Sequence, residues 1–250
     1  MRMHVGVAGL LFVTCTALQA QESKPAPAKG EARAAALLAA AARTRYTWSP
    51  EVTAVSGKVT WNVDGASGAG TFQDVLHRRG GFKIMADGGA TVPDEVSEHI
   101  QSLIGHRTPL AAGATNRPAA PAVIVVEDDA HGPLIMMVGD RMQSTERVKD
   151  GKLVQVNRRM AGKRFTIDVT RFVDAGQGRV YPADFTVTWW NAATGKRLEK
   201  QTYTTHGFYN TDGQMFPKAE TVVSDKAGTI SKLQLRYSDI KFDMGRAAAR

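Results

Sequence analysis

Histidines and carboxylates are the side chains of this sequence with acid–base or metal chemistry to offer. "VEDDAHG" sets Glu127, Asp128 and Asp129 just before His131. Joined by Asp168, they would make a general acid–base site if they converged in a cleft within hydrogen-bond reach. The same acidic cluster also suits a hairpin turn or a loosely held cation. His99 and His106 share a helix face if the helix extends that far, close to Asp94, Glu95 and Glu98. Structural zinc brings four ligands at tighter spacing. The competing reading is a solvated helix face, with His106 and Arg107 capping the last carbonyls. His206 suits core, surface or lining alike.

Stricter catalytic spacings are missing from the sequence. There is no G-x-S-x-G elbow, no H-E-x-x-H and no G-x-G-x-x-G ahead of a helix. "GASGAG" holds a serine but reads as a hairpin turn, and "NAATGKR" lacks the first glycine of a phosphate loop. The single cysteine, Cys15, falls in the leader described next, so thiol nucleophiles and thiolate metal sites are excluded from the mature chain. An enzyme is not expected, and no cofactor or metal is assigned.

The N-terminus reads as a secretory signal peptide over residues 1–20: a basic start with Arg2, an uncharged run from Val5 to Leu18, then polar "QAQES". The run is shorter than the roughly 20 apolar residues of a spanning helix. Cleavage is expected after Ala20, with Ala17 as the alternative. Thr14 stands where a lipobox has Gly, Ala or Ser, which favours plain removal over a lipid on Cys15. The expected location is therefore the periplasm or the outside of the cell. Export permits disulfides, but a mature chain without cysteine must gain its stability by burying surface, for which its length is sufficient. The formal charge of +8, or +7 once Arg2 leaves, is scattered over strand ends and turns. Nucleic-acid readers gather such charge on one face among aromatics. A solvated basic surface, or weak attraction to anionic lipid headgroups, fits better.

The elements follow from local pattern. Residues 21–30 are Pro, Ala and charge, a flexible linker. Residues 31–43 are alanine-rich and helical. "RTRYTWSPE" then puts Arg43 and Arg45 in the last turn, where positive charge is stabilising, and Pro50 forbids continuation. Tyr46 and Trp48 share one face of extended chain and can clamp the helix end to a sheet. Val55, Val59, Trp61 and Val63 alternate with Ser56, Lys58, Thr60 and Asn62, a half-buried strand. Val96, Ile100, Leu103 and Ile104 form the apolar stripe of a second helix that stops at Gly105. An Ala/Pro/Gly loop follows at residues 108–122. Beyond it run strands joined by tight turns, "DG" at residues 150–151 among them. Apolar parity shifts between Tyr237 and Ile240, which predicts a β-bulge near Ser238 and Asp239. About eleven antiparallel strands are too many for a flat sheet. The expected fold is α+β and mostly antiparallel β: a curled open half-barrel of about eleven strands, two helices covering one face, in a single domain over residues 31–245.

"VIVV" and "LIMM" are apolar on both faces, so these strands are covered twice or border something apolar. Two readings stand: an ordinary core in which methionine fills gaps, or a hydrophobic pocket between sheet and helices. The pocket would be lined by Trp61, Phe72, Ile84, Ile100, Ile104, Val125, Ile135, Met137, Phe165, Ile167, Phe185 and Trp189. "TWW" points Trp189 and Trp190 to opposite faces.

At "AARTRYTW", "LIGHRTP" and "YPADFTVTWWNAATGKRLEKQTYTTHGFYNTDGQMFPKAETVV" the chain resembles the bacterial and plant family called domain of unknown function 3386, over roughly residues 35 to 243. That family carries no established activity, so no catalytic residue transfers. The element order is also similar to the periplasmic lipoprotein-carrier half-barrel, a resemblance of fold that implies binding and handing over acyl chains. The function expected is an exported binding protein with an apolar pocket for a lipid, a lipoprotein acyl chain or another hydrophobic ligand. The alternative is a structural or interaction domain of the envelope that meets other envelope proteins and holds no small molecule. In either case the chain is expected to be a monomer.

Overall fold

The computed structural model describes residues 29–109 and 122–245. The leader, most of the linker and nearly all of the Ala/Pro/Gly loop lie outside the described residues. Helix α1 (Lys29–Thr44) takes in the last two residues assigned to the linker, with Glu31 in its first turn and Arg43 in its last, both suited to the helix dipole. Strands β1 (Val52–Val63), β2 (Ala66–Val75) and β3 (Phe82–Ala86) form a meander, followed by α2 (Asp94–Gly105). The chain resumes in β4 (Ala122–Glu127), β5 (Leu134–Val138), β6 (Thr145–Lys149), β7 (Lys152–Met160), β8 (Lys163–Asp174), β9 (Val180–Asn191) and β10 (Arg197–Thr205). A separate hairpin, β11 (Phe208–Thr211) and β12 (Gln214–Pro217), precedes β13 (Ala219–Lys226) and β14 (Thr229–Met244).

Twelve strands make one antiparallel sheet in the order β3-β2-β1-β14-β13-β10-β9-β8-β7-β6-β5-β4, and β11 and β12 pair only with each other. The sheet is open, with β3 and β4 at its edges. Turn signals account for the neighbours along the chain. The pairing of β1 with β14 is the long-range step that joins the first meander to the rest. Its register slips where parity predicted: Ser56 faces Lys241 while Lys58 faces Ser238. Asp239 takes up the extra residue at φ 54, and Lys58 holds its carboxylate at 2.7 Å. Leu233, Leu235 and Tyr237 before the bulge, and Ile240 and Phe242 after it, are all buried. Gly57 sits opposite; a Cβ there would lie 2.6 Å from Ile240 Cδ1, so glycine is what lets the kinked strands close.

Apolar side chains gather in two cores on one face of the sheet. The larger holds Val96, Ile100, Leu103 and Ile104 of α2 with Val55, Val59, Trp61, Phe72, Tyr237 and Phe242. The smaller is made by Ala34 and Ala41 of α1 over Ile135 and Val148, with Leu37, Leu38, Val125 and Leu153 beside them. Alanines let α1 lie close to the sheet.

Tyr46 and Trp48 are each only 1% exposed. Trp48 stacks on Phe216 at 6.3 Å and meets Phe242 edge-on at 5.2 Å. Its indole N–H donates to the carbonyl of Met215 at 3.1 Å, and the Tyr46 hydroxyl accepts from the Met215 N–H at 2.6 Å. The clamp therefore closes on the β11–β12 hairpin, which turns at Asp212–Gly213 and stands apart from the main sheet. A ring so deeply shared by β12 and β14 is core, and not the pivot of a detachable helix. Trp48→Ala should lower global stability by about 3–5 kcal/mol, read as an earlier urea midpoint of the whole transition. Early hydrogen exchange confined to α1 would contradict this placement. Gly68→Ala should cost about 1–3 kcal/mol in the same assay, because a Cβ there runs into the Trp61 ring.

Candidate functional site

The helices cover the two ends of one sheet face and leave a strip between them. α1 packs on β4, β6 and β7; α2 closes the core under β1 and β14. Cross-strand partners share a face, so the ladder traces what lies on the strip. One row runs from Ile135 beneath α1 through Glu146, Val156, Ile167 and Val187 to Gln201. A second links Val169, Phe185, Tyr203, Val222 and Leu233 and reaches Val63 at the α2 end. A third carries Arg158, Phe165 and Trp189 to the end of β10 near Glu199. Between the helices, then, the sheet is a trough floored by Val156, Phe165, Ile167, Phe185, Val187 and Trp189.

Phe165 and Trp189 meet at 4.8 Å between centroids, and Phe185 stacks on Tyr203 at 4.4 Å and 10°. Tyr203 stacks in turn on His99 of α2 at 5.9 Å. Phe165, Ile167, Phe185 and Trp189 remain half-buried. On the α2 side the floor gives way to polar groups: Ser224 and Gln201 donate to Glu199 at 2.6 and 2.9 Å, and the Tyr203 hydroxyl donates to Gln201 at 2.8 Å. Burial, then Glu199 and Glu220, push the Tyr203 hydroxyl up to about 12, which leaves it a neutral donor.

Of the twelve lining residues expected, Trp61, Phe72, Ile100 and Ile104 lie buried in the larger core with Ile84 against it. Ile135 is buried under α1 with Val125 beside it. Met137 is half-buried on the outlying strand β5. Phe165, Ile167, Phe185 and Trp189 come together as the floor. Missed by sequence reasoning were Arg45, His106, Arg107 and Arg158 with Glu146, which meet at the mouth. Arg45 Nη2 donates to the His106 carbonyl at 2.9 Å, joining the C-terminal ends of both helices. Arg45 and His106 are open to solvent, yet surrounding protein lowers the pKa of each, as do neighbouring arginines. Burial raises the Glu146 carboxyl against the pull of Arg158 and Arg45. Arg45 lies in "AARTRYTW", His106 and Arg107 in "LIGHRTP", and Glu146 and Arg158 on the paired strands β6 and β7; nothing in those stretches says that the three places meet.

The acid–base groups come together only in part, and away from the trough. Arg147 takes Glu127 at 3.2 Å and Asp129 at 2.8 Å; Arg33 of α1 takes Asp128 at 2.6 Å. Asp168 accepts from Gln155 at 2.7 Å and alternates with Ile167, so it faces away from the trough. There it shares an open hollow of about 500 Å³ with His131, Arg147 and Lys149. A second hollow, of about 650 Å³, opens on the same outer face beside Lys58, Lys83 and Lys241. Neither is the apolar pocket expected. No three described His, Cys, Asp or Glu side chains are grouped to hold a metal ion. His99 instead lies 2.9 Å from Glu220, which also accepts from Tyr237 at 2.9 Å, tying α2 to β13 and β14.

Fold and site together define a curled, open antiparallel half-barrel with two helices and an aromatic trough between them. The chain belongs to the family of proteins of unknown function DUF3386, whose pattern spans residues 29–242. No curated protein matches it. Among solved structures it is similar to a putative outer membrane lipoprotein-sorting protein domain from Vibrio parahaemolyticus, at 9% identity and a TM-score of 0.30 over 89% of this chain and 94% of that one. It is also similar to a DUF1329 family protein from Desulfovibrio piger, at 11% identity and a TM-score of 0.28 over 88% and 94%. MucB in complex with MucA(peri) aligns at 9% identity and a TM-score of 0.20 over 85% and 100%. Superpositions this loose say nothing of what the chain binds.

Burial pushes the Glu220 carboxyl up, but the charge and hydrogen bond of His99 and the Tyr237 hydroxyl outweigh it, and the net shift is below the usual 4.5. A carboxyl with a lowered folded value adds stability above its unfolded value and loses it as pH falls through the folded one. The stability gap between wild type and Glu220→Gln should therefore be widest near neutral pH and narrow steadily below about pH 5 in urea titrations.

Proposed function

We propose that the protein is an exported protein of the cell envelope that binds a lipid, a lipoprotein acyl chain or another hydrophobic ligand in the trough. The observation that carries this is the half-buried floor itself. Phe165, Ile167, Phe185 and Trp189 lie side by side on the face whose two ends are covered by the helices. An apolar strip of this kind, rimmed by polar groups, is the usual mark of a surface that another molecule completes. The leader supports export, since a basic start and an uncharged run precede the domain. The carboxylates that could have done acid–base work are tied to arginines or lie on the opposite face, which favours binding over catalysis. We further propose that residues 31–245 act as one domain, because the β1–β14 ladder makes its two blocks of strands one sheet.

Native mass spectrometry of protein purified from its own host should show a co-purified apolar ligand. Trp189→Ala should weaken binding of a fluorescent fatty acid about tenfold or more, from the apolar area it removes, while shifting the unfolding midpoint little because Trp189 is half-exposed. Unchanged affinity in Trp189→Ala and Phe165→Ala together would remove the trough as the binding site.

A further inference from the structure

The trough has an apolar floor and a cationic mouth, and the arginines of that mouth lack the close carboxylates that several arginines of the outer face have. On the outer face Arg147 has two carboxylates within 3.2 Å. Arg171 grips Asp184 with two nitrogens at 2.6 and 2.8 Å, and Arg197 reaches Asp225 at 2.7 Å. At the mouth this pairing fails. Arg158 comes no nearer to Glu146 than 3.8 Å, beyond hydrogen-bond length, and its buried Nε has no partner among the described residues. Arg107 is only 7% exposed. Its guanidinium lies 3.9 Å from the centroid of the Tyr181 ring, and its Nε also lacks a partner among the described residues. Arg45 spends a nitrogen on a neutral carbonyl.

A guanidinium taken out of water without its counter-charge is costly. Arg107 is the one so buried; Arg45 and Arg158 beside it stay partly open to water. With Glu146 as one nearby acid, and Glu220 already held by His99 and Tyr237 as the other, the three arginines form a cluster short of negative charge. The lowered values of Arg45 and His106, caused first by burial and then by Arg107, fit such crowding. Arg158 rises from the same cross-strand row as Phe165 and Trp189. Tyr181, under Arg107, lies on the same face of β9 as Phe185. The cations and the apolar floor thus belong to one surface.

We propose that the ligand is an anionic amphiphile, its tail on the Phe165–Trp189 floor and its carboxylate or phosphate on Arg45, Arg107 and Arg158. This rests on the apolar-ligand reading above and adds the chemistry of the head group. Planar guanidinium forks suit both oxyanions.

Three probes with one tail separate the possibilities: hexadecanoate, hexadecyl phosphate and hexadecanol, titrated into delipidated full-length protein by displacement of a fluorescent fatty acid. At least one anion should bind about tenfold tighter than the alcohol or better. Tighter binding of the phosphate points to a phospholipid head group, and tighter binding of the carboxylate to a free acyl chain. The preference should shrink to a few-fold in Arg158→Gln and in Arg107→Gln. Glu146→Gln should raise anion affinity several-fold and leave the alcohol unchanged, a gain that misfolding cannot mimic. Equal binding of all three probes, unmoved by these substitutions, overturns the anionic head group and leaves the trough an apolar site. Failure of all three to bind overturns both readings.

Discussion

The pairing of β1 with β14 is the constraint on which the rest depends. Every other neighbouring pair in the large sheet is close in sequence or separated only by the small hairpin. This one closes a loop nearly as long as the domain, and so carries the largest ordering cost. It is offset by the aromatic and branched side chains that both strands send to one face. That face stays continuous only because the register slips by one residue at Asp239, opposite a glycine. Without the slip, either Tyr237 and Leu235 or Ile240 and Phe242 would be turned to solvent.

A second consequence of that ladder is where the seam aromatics find their partners. Phe216 reaches the core from the β11–β12 hairpin and stacks between Trp48 and Phe72, with Tyr237 edge-on at 5.1 Å. The segment leaving α1 thus packs against residues almost at the other end of the chain. Trp48 and Tyr46 each also satisfy a backbone group of Met215, so apolar burial and hydrogen bonding fix the same contact. Helix α1 is held at its C-terminal end by this knot and along its length by a narrow apolar face of alanines and two leucines, with Arg33 paired to Asp128. It covers the sheet closely but not widely. The trough exists because a slender helix at one end and a short one at the other approach only at their C-terminal ends and leave the sheet between them uncovered.

The arginines at the trough's mouth lack the close carboxylates of Arg147, Arg171 and Arg197. A buried cation such as Arg107, with no carboxylate within 4 Å among the described residues, weighs against stability. Arg107 contributes its backbone carbonyl to Trp48 at 2.9 Å, a structural duty that any residue could perform. Its side chain packs over the Tyr181 ring and helps hold the Glu220 carboxyl low, yet its Nε has no partner among the described residues. A buried donor left unpaired is where function is to be sought.

Secondary structure and its parity were legible in the sequence because they depend on neighbours along the chain. The alanine helix, the α2 stripe, the alternation of β1 and the bulge in β14 all follow from periods of 3.6 and 2. So did the curled sheet, since strands in that number cannot stay flat. Four of the expected lining residues lie in the trough because alternation placed them on the inner face. Which inner-face residues are covered, and which remain open, was decided by where the helices lie, and no local pattern encodes that. The β11–β12 hairpin is legible only at its Asp212–Gly213 turn, because its four-residue strands are too short to show a period. The cationic mouth is the furthest from the sequence. Arg45, His106, Arg107, Arg158 and Glu146 read as ordinary charged residues one by one. Only the approach of the two helices' C-terminal ends, Arg45 to the His106 carbonyl, makes them a site, because electrostatic crowding depends on distance in space.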